Sequence, residues 1–294
     1  MKSTETIFTP IILSLFWLSG TNLLSGDHPV DPTFLHRFVP QIQEKKVDVS
    51  TATCHYKPIF GDGDSDTRIV KGVARFGEMT VDPGGNSSPV SYPSEEQVYV
   101  VLEGKGILLY GEQKVPVRQN DFVYLPPGIL HGILNSSSQP CRIIVMGFKI
   151  PTGELVSPPA KILMANMGDV SKQVVEGHPP STLYQLLMGD TKSTRDKVAA
   201  GHVITSLFNM EFAPGGTNFP HHHEYEEEIY LVSEGSGEMV AGGGISGVEG
   251  KYPARAGDAY FFRLNCTVGF YNNSPSGAKA RILAVRSLIP ARKQ

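Results

Sequence analysis

Residues 210–237, MEFAPGGTNFPHHHEYEEEIYLVSEGSG, follow the plan of residues 79–106, MTVDPGGNSSPVSYPSEEQVYVVLEGKG, at an offset of 131. Pro83 falls on Pro214 and Gly104 on Gly235. Further on, NDFVYLPPGILHGILN (120–135) maps onto GDAYFFRLNCTVGFYN (257–272) at an offset of 137, the six added residues lying in the Gly-rich stretch from Gly242 to Gly250. Upstream, Tyr56 with Gly61-Asp62 echoes Tyr184 with Gly189-Asp190. Matches in one order, with an offset that changes only where a loop absorbs it, mark an internal duplication.

Each copy has the periodicity of strands. Val98 to Leu102, Phe122 to Leu125, Ile143 to Phe148, Ile229 to Val232 and Ile282 to Val285 are short β-branched or aromatic runs, punctuated by Gly, Pro, Asn or Asp. Glycine (31) and proline (22) are abundant in the 294 residues without a collagen period, as turn-rich all-β chains require. Many short strands per copy imply sandwiches or barrels, whose closure removes exposed edges. The best helical candidate is a short linker helix within residues 159–176.

The formal charge of −3 is spread along the chain and gives no reason to expect a nucleic-acid or membrane-surface partner. Residues 1–26 read as a signal peptide: Lys2, then the apolar run Ile7 to Leu18, too short to span a bilayer, then small residues. The expected location is therefore secreted or periplasmic, with no membrane attachment after signal removal. Three cysteines (Cys54, Cys141, Cys266) lack metal-type spacing, and an exported chain could join Cys54 to Cys141. Asn-x-Ser/Thr sites at Asn86, Asn135, Asn265 and Asn272 are read as coincidental.

Two further patterns resemble the cupin superfamily. Its first motif, G-x5-H-x-H-x3–4-E-x6-G, is met by Gly215, His221, His223, Glu228 and Gly235. Its second, G-x5-P-x-G-x2-H-x3-N, is met by Pro126, Gly128, His131 and Asn135, with Asn120 in place of the first Gly. The resemblance implies two tandem jelly-roll barrels (double-stranded β-helices): a first barrel over 51–150, a linker over 151–181 and a second barrel over 182–291, after an N-terminal extension at 27–50. In the first copy Val90, Tyr92 and Gln97 stand at the ligand positions of the first motif; in the second, Val268 stands at the second-motif His.

What remains is a three-ligand set, His221, His223 and Glu228, in the second copy. Two imidazoles and a carboxylate suit one divalent ion (Fe, Mn, Zn or Ni) and leave coordination positions open, as catalysis requires. His222 should face away, and Glu224, Glu226 and Glu227 read as a solvated turn. Arg263, whose fork could hold a carboxylate, Tyr260, Tyr271 and His131 are candidates for contact with a substrate. Two functions stay open: a metal-dependent enzyme (oxygenase, isomerase or hydrolase) acting on a small polar metabolite, or a non-catalytic binding, sugar-binding or structural module. The degenerate first half also resembles the ureidoglycine aminohydrolases, whose ligand order, E-x-H-x3-H with a Gln in the second motif, differs from the order here. A homo-oligomer is compatible with either function.

Overall fold

The computed structural model describes residues 32–154, 156–244 and 247–290, so the expected signal peptide lies outside the described residues. The first copy supplies β1 (Phe34–Phe38), β2 (Cys54–Gly61), β3 (Val73–Val81), β4 (Glu95–Glu103), β5 (Lys105–Tyr110), β6 (Gln113–Arg118), β7 (Asp121–Leu125), β8 (His131–Leu134) and β9 (Cys141–Lys149). The second supplies β10 (Met164–Asn166), β11 (Thr182–Asp190), β12 (Val198–Gly201), β13 (Ile204–Phe212), β14 (Glu226–Glu234), β15 (Ser236–Gly242), β16 (Gly250–Arg255), β17 (Asp258–Phe262), β18 (Thr267–Tyr271) and β19 (Ala280–Leu288). Each half is a jelly roll of a large and a small sheet. The sheets run β10-β7-β4-β9-β3-β2 and β6-β5-β8 in the first half, and β1-β17-β14-β19-β13-β11-β12 and β16-β15-β18 in the second.

The sheet orders show that the halves exchange their leading strands. β1 leads the first copy yet pairs with β17 of the second; β10 leads the second copy yet pairs with β7 of the first. The exchange is fixed by equivalent polar pairs, His36 Nε2 to Asp258 Oδ1 at 2.9 Å and Asn166 Nδ2 to Asp121 Oδ1 at 2.7 Å. The expected linker helix is thus an edge strand with a 3-10 turn, Met167–Asp169. Its apolar residues alternate: Leu163, Ala165 and Met167 pack on one core, Ile162 and Met164 on another. That is the two-residue period of a strand.

Alternation along the large sheets builds three cores. Tyr99 and Val101 point into the first roll and Tyr230 and Val232 into the second. Val98, Val100, Ile229 and Leu231 point the other way, into a core shared between the two large sheets with Phe60, Phe122, Phe148 and Phe261. Each such side chain contributes about 1.5–3 kcal/mol by leaving water.

A reciprocal pair of buried carboxylates crosses this shared core. Glu96 on β4 accepts from the backbone N–H of Val203 (2.8 Å), Ile204 (2.7 Å) and His202 (2.8 Å) in the other half, and from Tyr124 Oη (2.9 Å). Glu227 on β14, its equivalent, accepts from Lys71 (2.7 Å), Gly72 (2.7 Å) and Val73 (3.1 Å). Glu227 is therefore a buried clamp, contrary to its expected place in a solvated turn, because β14 begins at Glu226 and alternation turns Glu227 toward the other half. Burial pushes its carboxyl up, and the three amides oppose that shift.

The cysteines correct another expectation. All three are free and buried. Cys54 lies opposite Val81, which lies opposite Cys141, so the two are separated by two strand spacings, roughly 9–10 Å, beyond the ~7 Å a disulfide can bridge. Asn135 and Asn272 are buried brackets: the amide of Asn135 donates to the carbonyls of Val81 and Gln139, that of Asn272 to Phe212, Ala213 and Ala278.

Candidate metal centre

His221, His223 and Glu228 converge on the interior of the second roll, with their ligand atoms all within 4.8 Å of one another. His221 is held by a two-way backbone bridge to Val268 (3.0 and 2.8 Å), so the fourth-ligand position is filled by a valine directly beside the first ligand. Its ring Nδ1 donates to the carbonyl of Phe219 at 2.8 Å, which leaves Nε2 as the lone-pair nitrogen facing the other two groups. Phe219 itself has φ +53, a left-handed conformation uncommon for a bulky residue, and it aims that carbonyl. Burial holds His221 below the ordinary histidine pKa, keeping it in the neutral form that can ligate.

His223 Nε2 lies 3.3 Å from Glu228 Oε2 without hydrogen-bond geometry, and both atoms are buried with no hydrogen-bond partner. On the outer side of the ring, Nδ1 faces Glu226 at 3.6 Å and Arg286 Nη1 at 3.5 Å. Glu226 and Glu228 share the inward face of β14, on either side of the clamp Glu227. His222 is exposed. Two unpartnered ligand atoms and one oriented imidazole are what a divalent cation would complete.

The cavity over these groups measures about 90 Å³ and is closed by Tyr184, Ser206, Arg286, His178, Phe208 and Arg195. The hydroxyls of Tyr184 and Ser206 and Nε of Arg286 are also buried and unpartnered. Of the twelve such side-chain atoms among the described residues, five line this one cavity. Burial pushes the Tyr184 phenol up, so it remains a donor. His178 comes from the segment between β10 and β11; its Nδ1 donates to the Asn218 carbonyl at 2.9 Å, leaving Nε2 as its proton acceptor. Its ring centroid is 5.6 Å from that of His221.

Of the four residues expected to contact a substrate, Arg263, Tyr260 and Tyr271 do not line this cavity, and His131 belongs to the first roll, as expected. Tyr260 is buried, stacked on His36 at 4.5 Å, and its hydroxyl bonds the Pro253 carbonyl at 3.3 Å. Tyr271 lies on the small sheet under the Lys251 ammonium at 4.8 Å. Arg263 follows β17, its backbone N–H bonded to Thr33. His131 lies in the first roll, between Tyr92 and Tyr99. Arg286 and His178, both lining the cavity, stand outside both motifs, so motif spacing gave no signal for them. A larger cavity, about 730 Å³, opens between the halves; in it Arg142 pairs with Glu78 (2.8 Å), Arg281 with Glu234 (2.9 Å) and Lys172 with Glu211 (2.8 Å).

Comparison with known proteins agrees with this architecture. A cupin domain model matches residues 77–147 and 208–286, together just over half the chain. The uncharacterized protein MJ1618 of Methanocaldococcus jannaschii is 30% identical over 81 residues, which is 27% of this chain and 65% of that relative's length. A protein from Pseudomonas aeruginosa described as glyoxylate-induced superposes with a TM-score of 0.69 at 16% identity, over 99% of both chains. A Bacillus subtilis oxalate decarboxylase with Mn(II) centres superposes at 0.62 and 11% identity, over 88% of this chain and 78% of that one. With both halves matched by the cupin model and each folded as a jelly roll, the chain belongs to the cupin superfamily as a two-domain member.

Proposed function

We propose that the second half binds one divalent metal ion through Nε2 of His221, Nε2 of His223 and a carboxylate oxygen of Glu228, and that the protein is a metal-dependent enzyme acting on a small polar metabolite. The observation that carries this reading is the concentration of buried, unpartnered polar atoms around one small cavity. The Mn(II) centres of the oxalate decarboxylase relative support it. Export, supported by the apolar run of residues 7–18, is part of the same proposal.

A bound ion would supply Lewis acidity and open coordination positions on the cavity side. The chain's own residues do the rest. The Phe219 carbonyl fixes the tautomer of His221, while Arg286 and Glu226 flank His223 from behind. Tyr184 and Ser206 offer hydrogen bonds to a polar ligand. His178 is the group placed to take up a proton at Nε2 and return it, the general base absent from both motifs. Val175, Leu186 and Phe208 restrict water.

The test is metal analysis of protein purified without chelator, alongside His221→Ala, Glu228→Ala and His178→Ala. Near-stoichiometric metal in the wild type, lost in the first two variants and kept in the third, is the expected result. Equal metal content in wild type, His221→Ala and Glu228→Ala, or none in the wild type, would overturn the metal site. Turnover of a substrate by wild type and His178→Ala at equal rates would remove His178 from the chemistry.

A further inference from the structure

Resting on the metal site proposed above, we infer that the ligand of this cavity is a small monocarboxylate held by the Nε edge of Arg286. The argument begins from a register pair. Arg286 on β19 lies opposite Ser206 on β13; in the first half the equivalent pair is Gly147 on β9 opposite Arg75 on β3. Each half thus points one arginine inward from the same level, from neighbouring strands.

The two arginines differ in what they meet. Arg75 is saturated by protein: its Nε and Nη2 bond Glu95 at 3.0 and 3.3 Å, and its Nη1 reaches Asp48 at 3.3 Å and Tyr92 Oη at 3.0 Å. Arg286 donates through Nη1 alone, to Glu226 at 3.3 Å with His223 Nδ1 beside it at 3.5 Å, and its Nε is buried without a partner. The edge that Glu95 occupies on Arg75 is therefore unpartnered at Nε on Arg286, in a cavity shared with the metal ligands. A carboxylate fits that edge with parallel hydrogen bonds, which a hydroxyl or an amide oxygen cannot match.

Charge and volume narrow the class. Arg286 offsets Glu226, and Arg195 faces Asp196 at 3.4 Å; a divalent ion would exceed the charge of Glu228 by one, so a monoanion neutralises the site. About 90 Å³ is the share of roughly three waters, far below the ~300–1,000 Å³ of pockets that enclose drug-sized ligands. That size favours a small acid over a sugar. The Phe208 ring, 5.6 Å from the guanidinium, keeps the contact partly shielded from water and so strengthens it.

The experiment is calorimetric titration of the full chain, Mn(II)-loaded and metal-free, with glycolate and with its neutral isostere glycolamide, on wild type, Arg286→Gln and Arg286→Lys. Loaded wild type should bind glycolate at least about tenfold more tightly than glycolamide. Arg286→Gln should lose that preference with its Mn content unchanged, and Arg286→Lys should fall between. Equal affinity for the two probes in loaded wild type, or an unchanged preference in Arg286→Gln, would overturn the inference. The probe comparison needs no variant, so a misfolded substitution does not blunt it. If none of Mn(II), Fe(II), Zn(II) and Ni(II) binds, the metal reading fails by itself. A glycolate preference in metal-free protein, lost in Arg286→Gln, would then still support carboxylate recognition, and its absence would end that inference too.

Discussion

The interiors of the two rolls start from one frame and end in opposite states. At the position bridged across the small sheet, the first half pairs Val90 with His131 and the second pairs His221 with Val268, the same two residue types exchanged. Where the second half has His223 and Glu228, the first has Tyr92 and Gln97. Arg75 lies over the Tyr92 ring at 3.9 Å and joins Glu95 and Asp48, filling the chamber with a network of one cation and two carboxylates. Gly147 is part of that filling: a Cβ there would meet Arg75 Cγ at 2.7 Å and Glu95 Oε2 at 2.8 Å. The comparison teaches that one frame can carry two different interiors, each built around an arginine from a different strand. The space in the first half is filled around one arginine, while the Tyr56 hydroxyl, Gln97 Oε1 and His131 Nε2 stay buried without hydrogen-bond partners.

The sharpest way to break this contrast is to exchange the arginines for small or neutral residues. Arg75→Ser, which copies the second half, leaves Glu95 and Asp48 without their cation and should cost about 3–5 kcal/mol in urea unfolding. Arg286→Gln removes only two long contacts and should cost about 1 kcal/mol or less, measured the same way. Comparable losses would mean that Arg286 is a structural residue like Arg75, and the contrast would collapse.

Duplication, strand character and the clustering of His221, His223 and Glu228 were legible in sequence because each rests on spacing: matched offsets, two-residue alternation, and His-x-His followed by Glu at a fixed distance. The filled first chamber was not, since Arg75 has no counterpart at its own position, where Ser206 stands; its partner in role comes from another strand. Glu227 was misread because, with Glu224 and Glu226, it sits in an acidic run that looks solvated, and only the strand start at Glu226 decides which face each takes. The strand exchange was hidden because β1 and β10 are five and three residues long, below the length at which a period declares itself. His178 had no motif around it at all.

Where the halves are alike, their substitutions should behave alike, and the reciprocal clamps test this next. Glu96→Gln and Glu227→Gln each replace a charged acceptor of several backbone amides, and each should lower stability by about 2–3 kcal/mol in metal-free protein. Glu96 has one extra donor, Tyr124 Oη, where the second half has Phe261, so its loss should be the larger. A negligible effect of either, by chemical denaturation, would show that the shared apolar core alone docks the two halves.

The smallest expected difference concerns acid. Glu211 on β13 collects Lys172 (2.8 Å), Arg281 (2.8 Å) and Lys279 (3.3 Å), whereas its equivalent in the first half is Thr80. Burial alone would push the Glu211 carboxyl up, but hydrogen bonds from the three cations outweigh it and hold the group at about 2, below its ordinary 4.5. A lowered folded-state value gives stabilisation that is complete above the unfolded value and is lost as pH falls through the folded one. The window is therefore about pH 4.5 down to about 2. Glu211→Thr should lower the melting temperature at pH 6 and converge on wild type near pH 2, by no more than a few degrees because the cluster is partly solvated. Parallel curves over that range would mean that the three cations are screened as fully in the folded chain as in the unfolded one. This acid-sensitive limb of the second half would then vanish, leaving the inward-facing residues as the main chemical difference between the halves.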